Sequence, residues 1–293
     1  MGSRLLLSGV LVGSVALLNQ NAVRQPRVST GKLIVTVADQ RLRPITDLVA
    51  SEVTVSLGGR VVQVQTLAPA KKPLAIVCLV DGVGATQLNS VRSAFQSAIA
   101  TLRRSQPDAL FGCVRETGDA TAAALSRDTG GTIDFGPLPA PIPLSDAIAV
   151  AATGLNEKKS FRRVILAITS GPRILRTSLA ATLDVLRPPA VQLWDIEISR
   201  TSTEPSVAGQ GYSQSEMYET EQFLNQVVQA SGGRRDTIFG SGALANRVGV
   251  YLEHLLSQYE ITFALQDSDR GKEIEVTVSR TGAHVSAPQW FSD

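Results

Sequence analysis

The sequence predicts an α/β protein: a doubly wound, mostly parallel sheet with helices on both faces, joined to a small antiparallel β unit. Three observations carry this. Residues 74–80 (LAIVCLV), 163–169 (RVILAIT) and 191–198 (VQLWDIEI) form apolar runs of the kind found in strands buried on both faces. Segments with three-to-four apolar spacing separate them, the alternation that yields a parallel sheet. On either side of this block, short segments alternate with period two, as half-exposed antiparallel strands do.

At the start, Arg4 precedes an apolar run over residues 5–18. As a helix it would reach ~21 Å, short of the ~30 Å hydrocarbon core. It reads as the apolar region of a signal peptide over residues 1–22, with Ala22 as the cleavage position. No later run reaches membrane-spanning length, so an exported chain (periplasmic, surface-bound or secreted) without a membrane span in its mature part is expected. Residues 31–67 follow as an N-terminal β unit. Residues 32–39 (KLIVTVAD) are rich in β-branched side chains, and 51–57 (SEVTVSL) and 60–67 (RVVQVQTL) alternate around the hairpin signal Gly58-Gly59. Residues 68–73 (APAKKP) read as a linker.

The wound block is expected over residues 73–257. Its first strand, 74–80, ends at Asp81-Gly82. Residues 86–103 have helical spacing with Thr86 as an N-cap candidate. A short strand over 109–114, an element over 120–125 and a Gly- and Pro-rich loop over 130–143 come next. Helices are expected over 145–152, 178–186, 216–230 and 244–256, with Gly232-Gly233 ending the third. Residues 200–214 read as an exposed loop. The tail, 258–293, is expected to form a β hairpin from 259–265 and 273–278. An isolated hairpin is marginal in water, so it should pack on the N-terminal unit, covering Ile34, Val53, Val62, Ile261 and Ile274.

Composition narrows the function. Hydrophobic residues are 43% and charged residues 18% of the 293, which excludes a disordered chain. Lys plus Arg number 28 against 26 Asp plus Glu, a net charge of +2 that gives no footprint for nucleic acid. The basic pairs Lys71-Lys72, Lys158-Lys159, Arg162-Arg163 and Arg234-Arg235 are scattered along the chain. Two His and two Cys are too few for a zinc site with three or four such ligands. Cys78 and Cys113 each lie in an apolar run and read as small buried hydrophobes; the sequence leaves open whether they pair.

The element order resembles the von Willebrand factor A (VWA) domain, and more closely an exported bacterial VWA-related family found in Acidobacteria. Arg43-Pro44-Ile45-Thr46-Asp47-Leu48 resembles the family's opening turn G-R-P-V-T-G-L. Residues 73–81 resemble its first core strand, 163–171 its fourth, and 259–286 its closing Y-x-L … I-x-V … V segment. The resemblance implies a VWA-like, Rossmann-like core and a metal-ion-dependent adhesion site (MIDAS). That site takes D-x-S-x-S after the first strand, a Thr from a second loop and an Asp after the fourth strand. Here the first loop reads Asp81-Gly82-Val83-Gly84-Ala85, so Val83 and Ala85 stand where serines are wanted. Ser170, in Thr169-Ser170-Gly171, stands for the Asp. Aligning Leu144-Ser145-Asp146-Ala147-Ile148 with the family's T-x-L-x-D-A puts Ile142 at the threonine place. A hard cation such as Mg²⁺ asks for near-octahedral oxygen ligation, and one charged ligand of five remains. The site is therefore expected to be degenerate, holding no metal or other cofactor.

Enzymatic readings are weaker. A haloacid-dehalogenase-like phosphatase wants a second Asp two places after Asp81, where Val83 stands and transfers no proton. No G-x-S-x-G elbow occurs. Gly82-x-Gly84 lacks the Lys-Ser/Thr pair of a phosphate loop. His254, on a helix, and His284, in the tail, are both remote in sequence from Asp81. The sequence thus reads as a non-enzymatic interaction module. It would bind a protein partner without metal through Asp81, Gly82, Val83, Gly84, Ala85, Ile142, Ser170 and Gly171, helped by apolar Phe135, Leu138 and Pro139 from the Pro-rich loop. Alternatives are a structural accessory protein that uses the small β unit, and an Asp81-dependent hydrolase.

Overall fold

A computed structural model describes residues 28–114, 125–127, 143–171, 175–187, 190–199 and 214–291. The expected leader, most of the 120–125 element, the Pro-rich loop through Ile142 and the loop over 200–213 lie outside the described residues. Among the described residues no helix is long and apolar enough to cross a membrane.

The described residues begin with β1 (Val28–Ala38), β2 (Val53–Leu57), β3 (Arg60–Val62) and β4 (Val64–Pro69). The wound block then runs β5 (Leu74–Asp81), α1 (Ala85–Ser105), β6 (Leu110–Cys113), α2 (Leu144–Asn156), β7 (Arg162–Thr169), α3 (Leu179–Leu186), β8 (Val191–Ser199), α4 (Gln214–Ser231), β9 (Arg235–Phe239) and α5 (Leu244–Leu256). The tail adds β10 (Tyr259–Gln266), β11 (Ile274–Val278) and β12 (His284–Ser286).

The wound block is a five-stranded sheet in the order β6-β5-β7-β8-β9, every neighbouring pair parallel. The three apolar runs are adjacent, as expected. Period-two alternation divides their side chains between two cores. Ile76, Cys78, Val164, Leu166, Ile168, Trp194 and Ile196 pack with Val91, Phe95 and Leu102 of α1 and with Val248, Tyr251 and Leu255 of α5. Ala75, Val77, Leu79, Ile165, Ala167 and Leu193 pack with Ile148 and Leu155 of α2, Leu186 of α3 and Leu224 and Val227 of α4. Helices thus cover both faces, and the fold is the doubly wound α/β arrangement with an added β unit. Cap signals match locally: Ser178 accepts the N–H of Ala181 at 3.3 Å at the start of α3. Gly84, rather than Thr86, is the N-cap of α1.

The N- and C-terminal segments do share a β unit, with two corrections. The tail is not a hairpin. β10 inserts between β1 and β4 in the sheet β12-β1-β10-β4, while β11 pairs with β2 in the sheet β11-β2-β3. Residues 60–67 are not one strand either: the chain leaves β2's partner at Val62 and re-enters beside β10 at Val64. One apolar cluster lies between the sheets and includes Val53, Val62, Ile261 and Ile274. Ile34 stays out of it, because Leu33, Val35 and Val37 hold the inward phase of β1.

The turn at residues 39–48 is fastened to both neighbours. Asp39 accepts the N–H groups of Arg41 and Arg43 at 2.8 and 2.9 Å. Arg280 from the tail reaches Asp47 at 2.5 Å and Glu52 at 2.9 Å. The buried N–H of Leu48 donates to the Tyr259 hydroxyl at 3.0 Å. Tyr259→Phe should therefore strand that N–H and lower stability by about 1–2 kcal/mol, read as a shifted midpoint with unchanged slope in urea unfolding. An unaltered midpoint would mean the bond contributes nothing.

Candidate functional site

In a wound parallel sheet the chain leaves each strand at the carboxyl edge, and ligands bind there. β5 and β7 end in register, Asp81 opposite Thr169. The N–H of Ser170 donates to the Asp81 carbonyl at 3.1 Å, so the two loops begin as one hydrogen-bonded pair. Gly82 and Gly171 both take positive φ, 65° and 74°, a turn that glycine makes without Cβ strain. Asp81, Gly82, Gly84, Ser170 and Gly171 are thus gathered at one edge. Ile142 lies outside the described residues.

Two residues of the expected set offer a partner no surface. Val83 is 3% exposed and belongs to the apolar cluster beneath α1. Ser170 is fully buried and its hydroxyl donates to the Ile198 carbonyl at 3.0 Å. The physical reason is the same for both: each fills the space just under the loop and ties it to the sheet. The half-buried part of this edge is Asp81, one of whose carboxylate oxygens is itself buried, with the glycines Gly82, Gly84 and Gly171.

Behind Ser170 lies a network that the sequence did not announce. Asp195, fully buried on β8, accepts the Thr169 hydroxyl at 2.9 Å and the Arg235 Nε–H at 3.0 Å. Arg235 also donates to Glu197 at 2.8 Å and Asn225 at 2.9 Å. Burial pushes the Asp195 carboxyl up to about 6, against the pull of Arg235. The signal available in the sequence was an acidic residue inside a buried strand, since such a group demands a partner. A second tie joins the loop after β7 to α2. The Ser145 hydroxyl oxygen accepts the N–H groups of Arg176 and Thr177, and Asp146 accepts the Thr177 hydroxyl at 3.1 Å.

Among the described residues this edge offers one carboxylate, Asp81, toward a cation. Val83 is turned into the core, and the Ser170 hydroxyl is fully buried, donating to the Ile198 carbonyl. Among the described residues no three His, Cys, Asp or Glu come together. His254 is buried at the other end of the block, where its Nε2–H donates to the Leu42 carbonyl at 2.8 Å. It is no candidate base for Asp81. Cys78 and Cys113 lie opposite one another on neighbouring strands with no disulfide between them; burial, then Cys113, pushes the Cys78 thiol up.

No protein-family signature matches the chain, and no curated protein matches it. Solved structures do. The conserved hypothetical protein BatB from Bacteroides thetaiotaomicron is 11% identical at a TM-score of 0.43, over 60% of this chain and 96% of its own. An aerotolerance-related membrane protein from Bacteroides fragilis is 9% identical at 0.41, over 61% of this chain and 98% of its own. Proximal thread matrix protein 1 from the mussel byssus is 16% identical at 0.46, over 69% of this chain and 51% of its own. That protein has also been seen with a zinc-occupied MIDAS motif, a structure 10% identical to this chain at a TM-score of 0.42. Similarities of this size carry no functional conclusion.

Proposed function

We propose that the protein is an exported, non-enzymatic interaction module of VWA-like design that binds a protein partner without a bridging cation. The observation that supports this is the fate of the loop residues. Val83 anchors the loop in the core, and the buried Ser170 hydroxyl holds β7 to β8. The edge that remains is glycine backbone around one carboxylate, which can meet a partner through main-chain hydrogen bonds. Mg²⁺ dehydrates reluctantly and wants six oxygens, so a single carboxylate retains it poorly.

The test is calorimetric titration with Mg²⁺ and Mn²⁺, beside an Asp81→Ala variant. We expect no saturable heat at micromolar metal in either protein. Stoichiometric micromolar binding that vanishes in the variant would restore a metal-dependent adhesion mechanism. A second reading places the contacts on the β unit, because Val61 on the edge strand β3 is 67% exposed and edge strands can pair with another chain. Val61→Lys separates the two: loss of partner binding there, with Asp81→Ala still binding, favours the β unit.

A further inference from the structure

At the opposite end of the sheet, the β unit packs against the starts of β7 and β8. Basic pairs that are far apart in sequence meet there. The Lys72 ammonium donates to the Lys159 carbonyl at 3.4 Å. Lys72, Lys159, Arg163, Arg187, Arg270 and Lys272 line one open cleft of about 870 Å³, in which Glu273 is the acidic residue among the described lining. The sequence reading of the basic pairs as scattered is corrected for three of the four: folding gathers them. At the head of this cleft, Lys72, Arg163 and Trp290 also wall a narrow chamber of about 70 Å³, shared with Phe161, Arg162 and Glu260. That is roughly the room of two waters.

Arg162 is 5% exposed. Its Nε–H donates to the Lys72 carbonyl at 2.8 Å, and Nη1 donates to the Leu255 carbonyl and to Gln258 Oε1. Its buried Nη2 meets no acceptor among the described residues, and neither do Nε of Arg163 and Nε1 of Trp290, a residue 7% exposed. No carboxylate among the described residues pairs with either arginine. The nearby charges are otherwise engaged: Glu260 lies 3.8 Å from Lys32, and Arg187 pairs with Asp184 and sits over the Trp290 ring at 5.8 Å. A buried donor left without an acceptor costs about 1–3 kcal/mol, and a buried cation without a counter-charge costs more. Burial holds Arg162 down to about 10 and lowers Arg163 as well. Arg162 and Arg163 are neighbours on β7 and point to opposite faces of the sheet. Arg163 and Trp290 share one face, and two such donors beside a chamber rimmed by cations match the acceptor-only oxygens of an oxyanion.

We propose that this seam is an oxyanion-binding site: a carboxylate or phosphoryl group enters the chamber beside Arg163, Trp290 and Lys72, and the rest of an acidic ligand lies along the cationic cleft. The inference is independent of the carboxyl-edge reading above, since it uses the other end of the sheet.

The experiment follows the indole N–H resonances of ¹⁵N-labelled protein. The chain has two tryptophans, so two such peaks are present, and Trp290→Phe identifies which belongs to Trp290. Inorganic phosphate and acetate are added separately, with chloride at matched ionic strength as reference. A saturable shift of the Trp290 peak, with the Trp194 peak stationary, is expected. Arg163→Gln should weaken the response at least tenfold and Lys72→Gln to a lesser degree, the stationary Trp194 peak reporting that each variant is folded. Response to phosphate alone assigns a phosphorylated ligand, and response to acetate alone a carboxylate one; both support the site. No saturable shift beyond chloride, or an undiminished shift in both folded variants, overturns it.

Discussion

Gly233→Ala should destabilise the protein by about 4 kcal/mol or more, the range reserved for disruptive core changes. Gly233 follows the end of α4, where Gly232 turns at φ 74° and the N–H of Gly233 closes onto the Val228 carbonyl at 3.0 Å. The chain then crosses β8 to begin β9. A Cβ on Gly233 would lie 1.7 Å from the Leu193 carbonyl oxygen and 2.6 Å from its carbon. Those are main-chain atoms of a central strand, so no rotamer change relieves the overlap. Either β8 or the α4–β9 connection must move. Moving it disturbs the Ser231 hydroxyl, which accepts the Leu193 N–H at 3.0 Å and donates to Val228. Against a total of about 5–15 kcal/mol for a typical domain, the variant should be largely unfolded in moderate urea. Gly249→Ala is the control: it sits in α5 with nothing within 4 Å of the added carbon, and helix propensity predicts a gain of up to about 1 kcal/mol. Equal unfolding midpoints for the two variants would show that the close approach is not maintained in solution.

How far the sequence reached depended on how many constraints acted on each segment. Strands buried on both faces admit only apolar side chains, so β5, β7 and β8 were legible within a residue at each end. β9 was missed because it is an edge strand of five residues, RDTIF, whose one buried side chain is Ile238; a single apolar position shows no period. The β unit was legible as alternation, but alternation specifies two faces without saying which is inward. Ile34 and Leu33 are equally apolar, and the choice was made by the register of β1 against β10, set over a separation of more than two hundred residues. The same non-local pairing explains why the tail looked like a hairpin: two successive β segments with a turn between them are indistinguishable, in sequence, from two strands that part to different sheets. At the carboxyl edge, Asp81 and Ser170 are joined by a main-chain hydrogen bond. The burial of Val83 and Ser170 was not legible, since it follows from loop geometry at Gly82 and Gly171 and from the Ile198 carbonyl on a third strand.

Asp195→Asn should abolish a pH dependence of stability that the wild type shows between about pH 4 and 6. The Asp195 carboxyl lies in the middle of a central strand, and its loss of hydration outweighs the attraction of Arg235 and the hydrogen bond from Thr169. Its value rises from 3.8 in the unfolded chain to about 6 in the fold. In that window the folded protein keeps a proton that the unfolded chain has released. Stability therefore falls as pH rises through it, by about 3 kcal/mol in all, and is level again once Asp195 is ionised beside Arg235. His254 acts with the opposite sign, because burial lowers it and the unfolded chain protonates first. The carboxyls of Asp47, Glu52 and Asp269, held down chiefly by Arg280 and Arg60, lose their contribution as pH falls through their ordinary values of 3.8 to 4.5 and below. All of these are common to both proteins and cancel in a difference. The measurement is urea unfolding of wild type and Asp195→Asn at intervals from pH 4 to 7.5, plotted as wild type minus variant. The asparagine retains an acceptor for Thr169 and leaves Arg235 paired with Glu197, so the variant should fold. The difference curve should decline by about 3 kcal/mol between pH 4 and 6 and then flatten. A level curve, or one that climbs with pH, would mean that Asp195 is ionised at its ordinary value and that Arg235, not burial, governs the network behind Ser170.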